Sequence, residues 1–246
     1  MRYQLIDCRF DLADPSRGRA LYFAKHLPDA SFLDLEDDLS DLSRAPSAGR
    51  HPLPAAEDFA RSASAAGIDQ DGGVLAYDDG SLAGAARLWW LLRHFGHEHV
   101  AVLVGGMSAW LGDRACGVED IRAGTFVPGQ PKAATIDAGE IQSRLGSDDL
   151  VVLDARASER YRGEVEPIDP VAGHIPGALN VPFADVFAAG LPERAVEADE
   201  VAVYCGSGVS ACVVLLALAQ AGRPDARLYA GSWSEWCRLG LPVARA

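Results

Sequence analysis

The 246-residue sequence predicts an α/β fold made of two tandem, similar domains, each a mainly parallel sheet flanked by helices. Three observations lead there. One set of landmarks occurs twice in the same order, short apolar runs alternate with longer helical stretches, and a glycine- and proline-bearing stretch lies midway.

The landmarks pair as follows. Leu5-Ile6-Asp7-Cys8-Arg9 is echoed by Val152-Leu153-Asp154-Ala155-Arg156, and Lys25-His26-Leu27-Pro28-Asp29-Ala30 by Gly173-His174-Ile175-Pro176-Gly177-Ala178. Val74-Leu75-Ala76-Tyr77-Asp78 is echoed by Val201-Ala202-Val203-Tyr204-Cys205. Gly105-Gly106-Met107-Ser108-Ala109-Trp110 returns as Gly231-Ser232-Trp233-Ser234-Glu235-Trp236. Four landmarks in one order indicate a duplicated domain.

Along the chain, Val74–Tyr77, Val100–Val104, Leu150–Leu153 and Val201–Tyr204 are continuous apolar runs of the length of buried parallel strands. Ala83–Phe95 and Val209–Ala221 are helical stretches closed by Gly96 and Gly222, the expected stop signals. The stretch from about Asp113 to Ala134 holds Gly124, Pro128, Gly129 and Pro131 and reads as a linker. The expected boundaries are residues 1–115 for the first domain, 116–134 for the linker and 135–246 for the second domain.

Composition narrows the function classes. Hydrophobic residues at 49% and charged residues at 23% suit a globular protein with a real core. A net charge of −13 argues against nucleic acid or an anionic membrane surface as partner, and means that any anionic substrate needs a local concentration of positive potential. Five scattered cysteines, an odd number without C-x-x-C spacing, read as free thiols with no metal site. No apolar run has the length of a membrane span or of a signal peptide core, so a cytoplasmic location is expected.

The duplication supplies an internal control: features present in both halves belong to the fold, and a reactive feature present once is a candidate for chemistry. Asp7/Arg9 with Asp154/Arg156, and His26 with His174, are then structural. The third strand is followed by Asp78-Asp79-Gly80 in the first half and by Cys205-Gly206-Ser207-Gly208-Val209-Ser210-Ala211 in the second. Ligands of α/β folds bind at the carboxyl ends of strands. Glycines there let successive N–H groups converge on an anion, and a helix starting near Val209 adds its positive end, which together favour a thiolate at Cys205. A small buried core cysteine is the alternative, but a core cysteine needs no such loop. The first half, with Asp78 at this position, is expected to be catalytically silent.

These residues resemble the active-site loop of tandem-domain rhodaneses, especially the mercaptopyruvate sulfurtransferase branch. The resemblance extends to Gly173-His174-Ile175-Pro176-Gly177-Ala178, Arg87-Leu88-Trp89-Trp90 and the two Gly-x-x-Ser-x-Trp closings. It implies two rhodanese-like domains, a catalytic cysteine in the second, an inactive first domain and a cleft between them. It also implies a sulfurtransferase without metal or organic cofactor. Cys205 takes sulfur from a small anionic donor, thiosulfate or 3-mercaptopyruvate, and passes it as a persulfide to cyanide, a thiol or a protein acceptor. Ser207 and Ser210 join Cys205 as catalytic candidates, donating to the thiolate or relaying a proton. Backbone N–H groups of Gly206, Gly208 and Val209 bind the sulfur, Arg160 matches the family's substrate-anion arginine, and His51 lies in a segment that approaches the cleft in the family. One departure stands out: mercaptopyruvate enzymes carry a second arginine shortly after a Glu-Pro pair, whereas this chain reads Glu166-Pro167-Ile168-Asp169-Pro170.

Rival readings are weaker. A cysteine phosphatase needs an arginine six positions after the cysteine, and that position is Ala211. A cysteine hydrolase needs a base aimed at the thiol, and the surroundings of Cys205 carry no such signature. A non-enzymatic persulfide carrier or redox-sensing module would use the same loop for one protein partner.

Overall fold

A computed structural model describes residues 3–132 and 134–246. It contains two four-stranded sheets, ordered β2-β1-β3-β4 and β6-β5-β7-β8. The first is built from β1 (Tyr3–Asp7), β2 (Ala30–Phe32), β3 (Gly73–Tyr77) and β4 (Val100–Val102). The second comprises β5 (Leu150–Asp154), β6 (Leu179–Asn180), β7 (Glu200–Tyr204) and β8 (Arg227–Leu228). Every strand pairing within them is parallel. The helices of the first sheet are α1 (Arg17–Ala24), α2 (Ala56–Ala65), α3 (Ala83–His94) and α4 (Gly106–Ala109). Those of the second are α5 (Ala138–Ser143), α6 (Ser158–Arg162), α7 (Val186–Ala189), α8 (Glu193–Glu197), α9 (Ala211–Gln220) and α10 (Ser232–Arg238). The apolar runs read from the sequence as strands became β3, β4, β5 and β7.

The duplication is visible in atomic detail. Arg9 grips Asp7 through Nε at 3.0 Å and Nη2 at 2.6 Å while donating to the Lys25 carbonyl at 2.6 Å. Arg156 does the same to Asp154, at 3.0 and 2.6 Å, and to the Gly173 carbonyl at 2.6 Å. His26 and His174 stack on Tyr22 and Tyr161 with centroids 4.1 and 3.8 Å apart. All four pairs anchor the loops after the first strand of each sheet, as the internal comparison anticipates.

The chain divides into two compact units, but not at one place. The first is Met1–Asp41 with Leu53–Lys132, and the second is Leu42–Pro52 with Ala133–Ala246. Most of the stretch expected as a linker, 116–134, therefore belongs to the first unit. Its backbone is consumed there: Gly117 N–H donates to the Phe23 carbonyl and Gly124 N–H to the Ser64 carbonyl, both at 2.8 Å. Residues 42–52, expected within the first domain, belong instead to the second. Residues 1, 2 and 133 lie outside the described residues.

Within the second unit, Ile141, Ile175, Tyr204, Trp233 and Trp236 form a core with no side-chain exposure, and α9 is buried from Ala211 to Leu218. This apolar packing holds the carboxyl end of β7 between α9 and α10, where the loop beginning at Cys205 lies. Among the described residues no helix is long and apolar enough to cross a membrane.

Candidate active site

Cys205 immediately follows β7 and is 1% exposed. Its backbone is held on both sides: its N–H donates to Ser232 Oγ at 3.1 Å, and its carbonyl accepts from Trp233 N–H at 3.0 Å. The Gly206 carbonyl accepts from Ser234 N–H at 3.0 Å. Ser232 in turn donates to the Tyr229 carbonyl at 2.8 Å. The closing motif Gly231-Ser232-Trp233-Ser234 is thus the platform on which the loop rests, a role that sequence reading did not assign to it.

The chain then turns back over the sulfur. Gly208 has φ +76°, and a Cβ there would lie 2.5 Å from the Ala230 carbonyl oxygen, so the position admits glycine. The turn points the Gly208 N–H at Cys205 Sγ, 3.1 Å away. The sequence predicts that several amides from Gly206 to Ser210 converge on the sulfur. Among the described residues the hydrogen bond to Sγ comes from Gly208. The Val209 and Ser210 carbonyls accept from Cys212 and Val213 at 3.0 and 3.1 Å, a tight three-residue opening that delays α9 to Ala211 rather than Val209.

The serines separate. Ser207, 4% exposed, pairs through Oγ with His51 Nδ1 at 2.8 Å, and His51 is equally buried at 4%. Ser210 precedes the first residue of α9, and its side chain makes no capping hydrogen bond. Neither hydroxyl bonds the sulfur among the described residues. The structure therefore joins Ser207 to His51 and leaves Ser210 beside the helix start.

Gly206 is bordered by arginines. A Cβ built on it would lie 2.8 Å from Arg50 Nη2, 3.5 Å from Arg160 Nη1 and 3.7 Å from Arg160 Nη2. Arg160 donates to Glu166 through Nη2 at 2.6 Å and Nε at 3.3 Å. Arg50 donates to Asp169 Oδ1 through Nη1 and, through its backbone N–H, to Ser234 Oγ at 3.1 Å. Glu166 also meets Arg156 Nη1 at 3.2 Å, and the Arg156 guanidinium stacks over Trp233 at 4.6 Å. Burial pushes the Glu166 carboxyl up, but the Arg160 hydrogen bond, the Asp169 amide and the Arg160 charge outweigh it and hold it below its ordinary range.

Three arginines, Arg50, Arg156 and Arg160, thus gather around the loop, each braced by a carboxylate. Sequence reading found Arg160 and His51 and missed Arg50, Glu166 and Asp169. Arg50 had a signal: it adjoins His51 in the Gly49-Arg50-His51-Pro52 segment.

Burial raises Cys8 well above its ordinary value and raises Cys237 as well, while Cys116 is exposed. All five cysteines are free, and among the described residues no group of His, Cys, Asp and Glu is arranged to hold a metal ion.

Comparison with known proteins shows the family and fold to which the chain is similar. The Rhodanese-like domain family matches residues 1–113 and again 137–239. A Pseudomonas aeruginosa relative, provisionally named 3-mercaptopyruvate sulfurtransferase, is 49% identical over 256 residues, spanning 94% of this chain and 88% of its own. A Mycobacterium tuberculosis relative, provisionally named thiosulfate sulfurtransferase SseB, is 42% identical over 253 residues, spanning 94% of this chain and 87% of its own. Among solved structures, the 3-mercaptopyruvate sulfotransferase SseA of Escherichia coli superposes with a TM-score of 0.80 at 33% identity, covering 94% of this chain and 92% of the other.

Proposed function

The chain belongs to the rhodanese family and is a sulfurtransferase, and on that premise we propose that it moves a sulfane sulfur from thiosulfate or 3-mercaptopyruvate to a thiophilic acceptor through a persulfide on Cys205. The observation that carries this reading is the Gly208 N–H aimed at Cys205 Sγ at 3.1 Å, a backbone dipole fixed where a sulfur anion forms.

In the first step the Cys205 thiolate attacks the outer sulfur of the donor and a new S–S bond forms. With thiosulfate the old S–S bond breaks and its electron pair leaves on sulfite. With 3-mercaptopyruvate the C–S bond breaks, its electron pair goes to carbon, and the resulting enolate takes up a proton to give pyruvate. Ser207, backed by His51, is the proposed route for that proton. In the second step cyanide or a thiolate attacks the terminal sulfur, leaving as thiocyanate or a new persulfide and returning Cys205 as thiolate. No step requires a change in net oxidation state beyond the two reactants, and none calls on a metal. Arg160 serves as the anion-binding residue, and the amides of Gly206 and Val209 are proposed to meet the terminal sulfur once it extends past Sγ.

Intact mass measurement after exposure to each donor tests the proposal. The wild-type protein is expected to gain about 32 Da, one sulfur atom, reversibly under reductant, and Cys205→Ser to gain none. A gain that survives Cys205→Ser would move the chemistry to another thiol. A non-enzymatic carrier would form the same adduct yet show no steady-state turnover with cyanide or small thiols.

A further inference from the structure

We propose that Arg50 is a second donor-binding residue: with Arg160 it forms a two-guanidinium clamp beside Gly206 that grips the oxyanion end of the sulfur donor. This rests on Cys205 being the sulfur-accepting group, and extends it to how the donor is held.

The argument is one of which edges of the two guanidiniums are occupied. Arg160 commits Nη2 and Nε to Glu166, and Arg50 commits Nη1 to Asp169. The edges that remain, Arg160 Nη1 and Arg50 Nη2, are the ones that border Gly206, the residue next to Cys205. The carboxylates thus hold both cations from behind and turn the opposite edges toward the reactive loop. The two side chains keep 17% and 20% exposure, so an anion can reach them, whereas the bracing Glu166 and Asp169 side chains are 3% and 0% exposed.

Asp169 ties the pair together. Its Oδ1 receives Arg50, and its Oδ2 lies 3.5 Å from Arg160 Nη2 without making a hydrogen bond. A fully buried carboxylate between two guanidiniums fixes their spacing before substrate arrives, which is the preorganisation an oxyanion site needs. A side chain at 206 would enter the gap into which the two arginines project and push the Arg50 guanidinium aside. The ligand chemistry is a planar or tetrahedral oxyanion close to a transferable sulfur, the carboxylate of an α-keto thiol or the sulfonate end of thiosulfate, for which paired guanidinium forks are well suited.

Two alkylating probes of the same reactivity type, one anionic and one neutral, read the clamp directly, in a Cys116→Ser background that removes the exposed thiol. Iodoacetate carries the carboxylate and iodoacetamide does not, and the ratio of their rates at Cys205 cancels any change in thiol ionisation. Arg50→Gln is expected to lower that ratio about tenfold, the scale of one charge-assisted hydrogen bond, and Arg50→Lys to lower it less. The double variant Arg50→Gln/Asp169→Asn, which strands no buried carboxylate, is expected to match Arg50→Gln, with folding checked by circular dichroism. An unchanged ratio in both variants overturns the clamp. Steady-state KM then identifies the anion: a rise for 3-mercaptopyruvate supports a carboxylate clamp, a rise for thiosulfate a sulfonate clamp, and no rise for either overturns the proposal. Failure of wild-type Cys205 to acquire sulfur from either donor would instead defeat the persulfide reading, an outcome separate from any Arg50 effect.

Discussion

The third strand of each sheet ends in the same architecture with opposite contents. In the first unit Asp78 follows β3, and Met107 N–H donates to its carbonyl at 2.8 Å, as Trp233 N–H does to Cys205 at 3.0 Å. Gly106 and Ser232, the residues just before those donors, share φ values of +54° and +55°. The side chains diverge. Asp78 Oδ1 accepts from Gly80 N–H at 2.8 Å and Leu82 N–H at 3.1 Å, and Oδ2 accepts from Ala85 N–H at 3.3 Å. The first unit fills its own anion nest with a carboxylate on a chain it cannot release. The second puts a thiol there and spends one amide on it. The two strand ends share a backbone frame, with three amides gathered on the Asp78 carboxylate and one on the Cys205 sulfur.

The sharpest way to break this comparison is at the thiol. Cys205→Ser is expected to reduce sulfur transfer about a thousandfold or more with an unchanged far-ultraviolet spectrum, and Asp78→Cys in that background should restore nothing. Recovery of turnover through Asp78→Cys would show that the two nests are interchangeable. Next in size, Asp78→Ala should leave three amides without their acceptor and cost about 3 kcal/mol, read from urea unfolding, with the persulfide still forming on Cys205. A loss below about 1 kcal/mol would mean that those amides find water instead.

A smaller effect is expected at the platform. Ser232→Ala removes the acceptor of the buried Cys205 N–H while keeping a Cβ in the left-handed region, and should cost about 1–2 kcal/mol. Ser232→Gly relieves the strain but not the lost bond, so it should fall between Ala and wild type. The mildest test is pH. Because Glu166 is held below its ordinary 4.5, its contribution is fully present above that value and is lost as pH falls through its lower folded value. The urea midpoints of wild type and Glu166→Gln should therefore differ at neutral pH and draw together in acid; a gap that widens toward acid would reverse the assigned sign.

Much of this was legible beforehand because repetition exposes what is not repeated. Four paired landmarks pointed to the two sheets, and the Asp78/Cys205 mismatch drew attention to the loop proposed to carry the chemistry. Local pattern also located β3, β4, β5 and β7 to within a residue or two, since buried parallel strands are continuous apolar runs, whereas β2, β6 and β8, of two or three residues, gave no such run. What escaped was set by contacts distant in sequence. Arg50 meets Asp169 across 119 positions and Ser234 across 184, and no periodicity encodes such pairings. The role of Ser232 was hidden for a related reason: its counterpart Gly106 has no hydroxyl, so the echo looked like a turn signal alone. Glycine and proline between 116 and 134 mark irregular backbone and do not say whether that backbone is packed, as most of it is within the first unit.

The membership of residues 42–52 in the second unit bears on how the molecule can be divided. A cut near residue 133, where the sequence alone suggests a seam, would part Arg50 and His51 from the remainder of the unit that holds Cys205. The piece from 134 onward would then not be a whole compact unit, and it would lack the histidine that Ser207 pairs with.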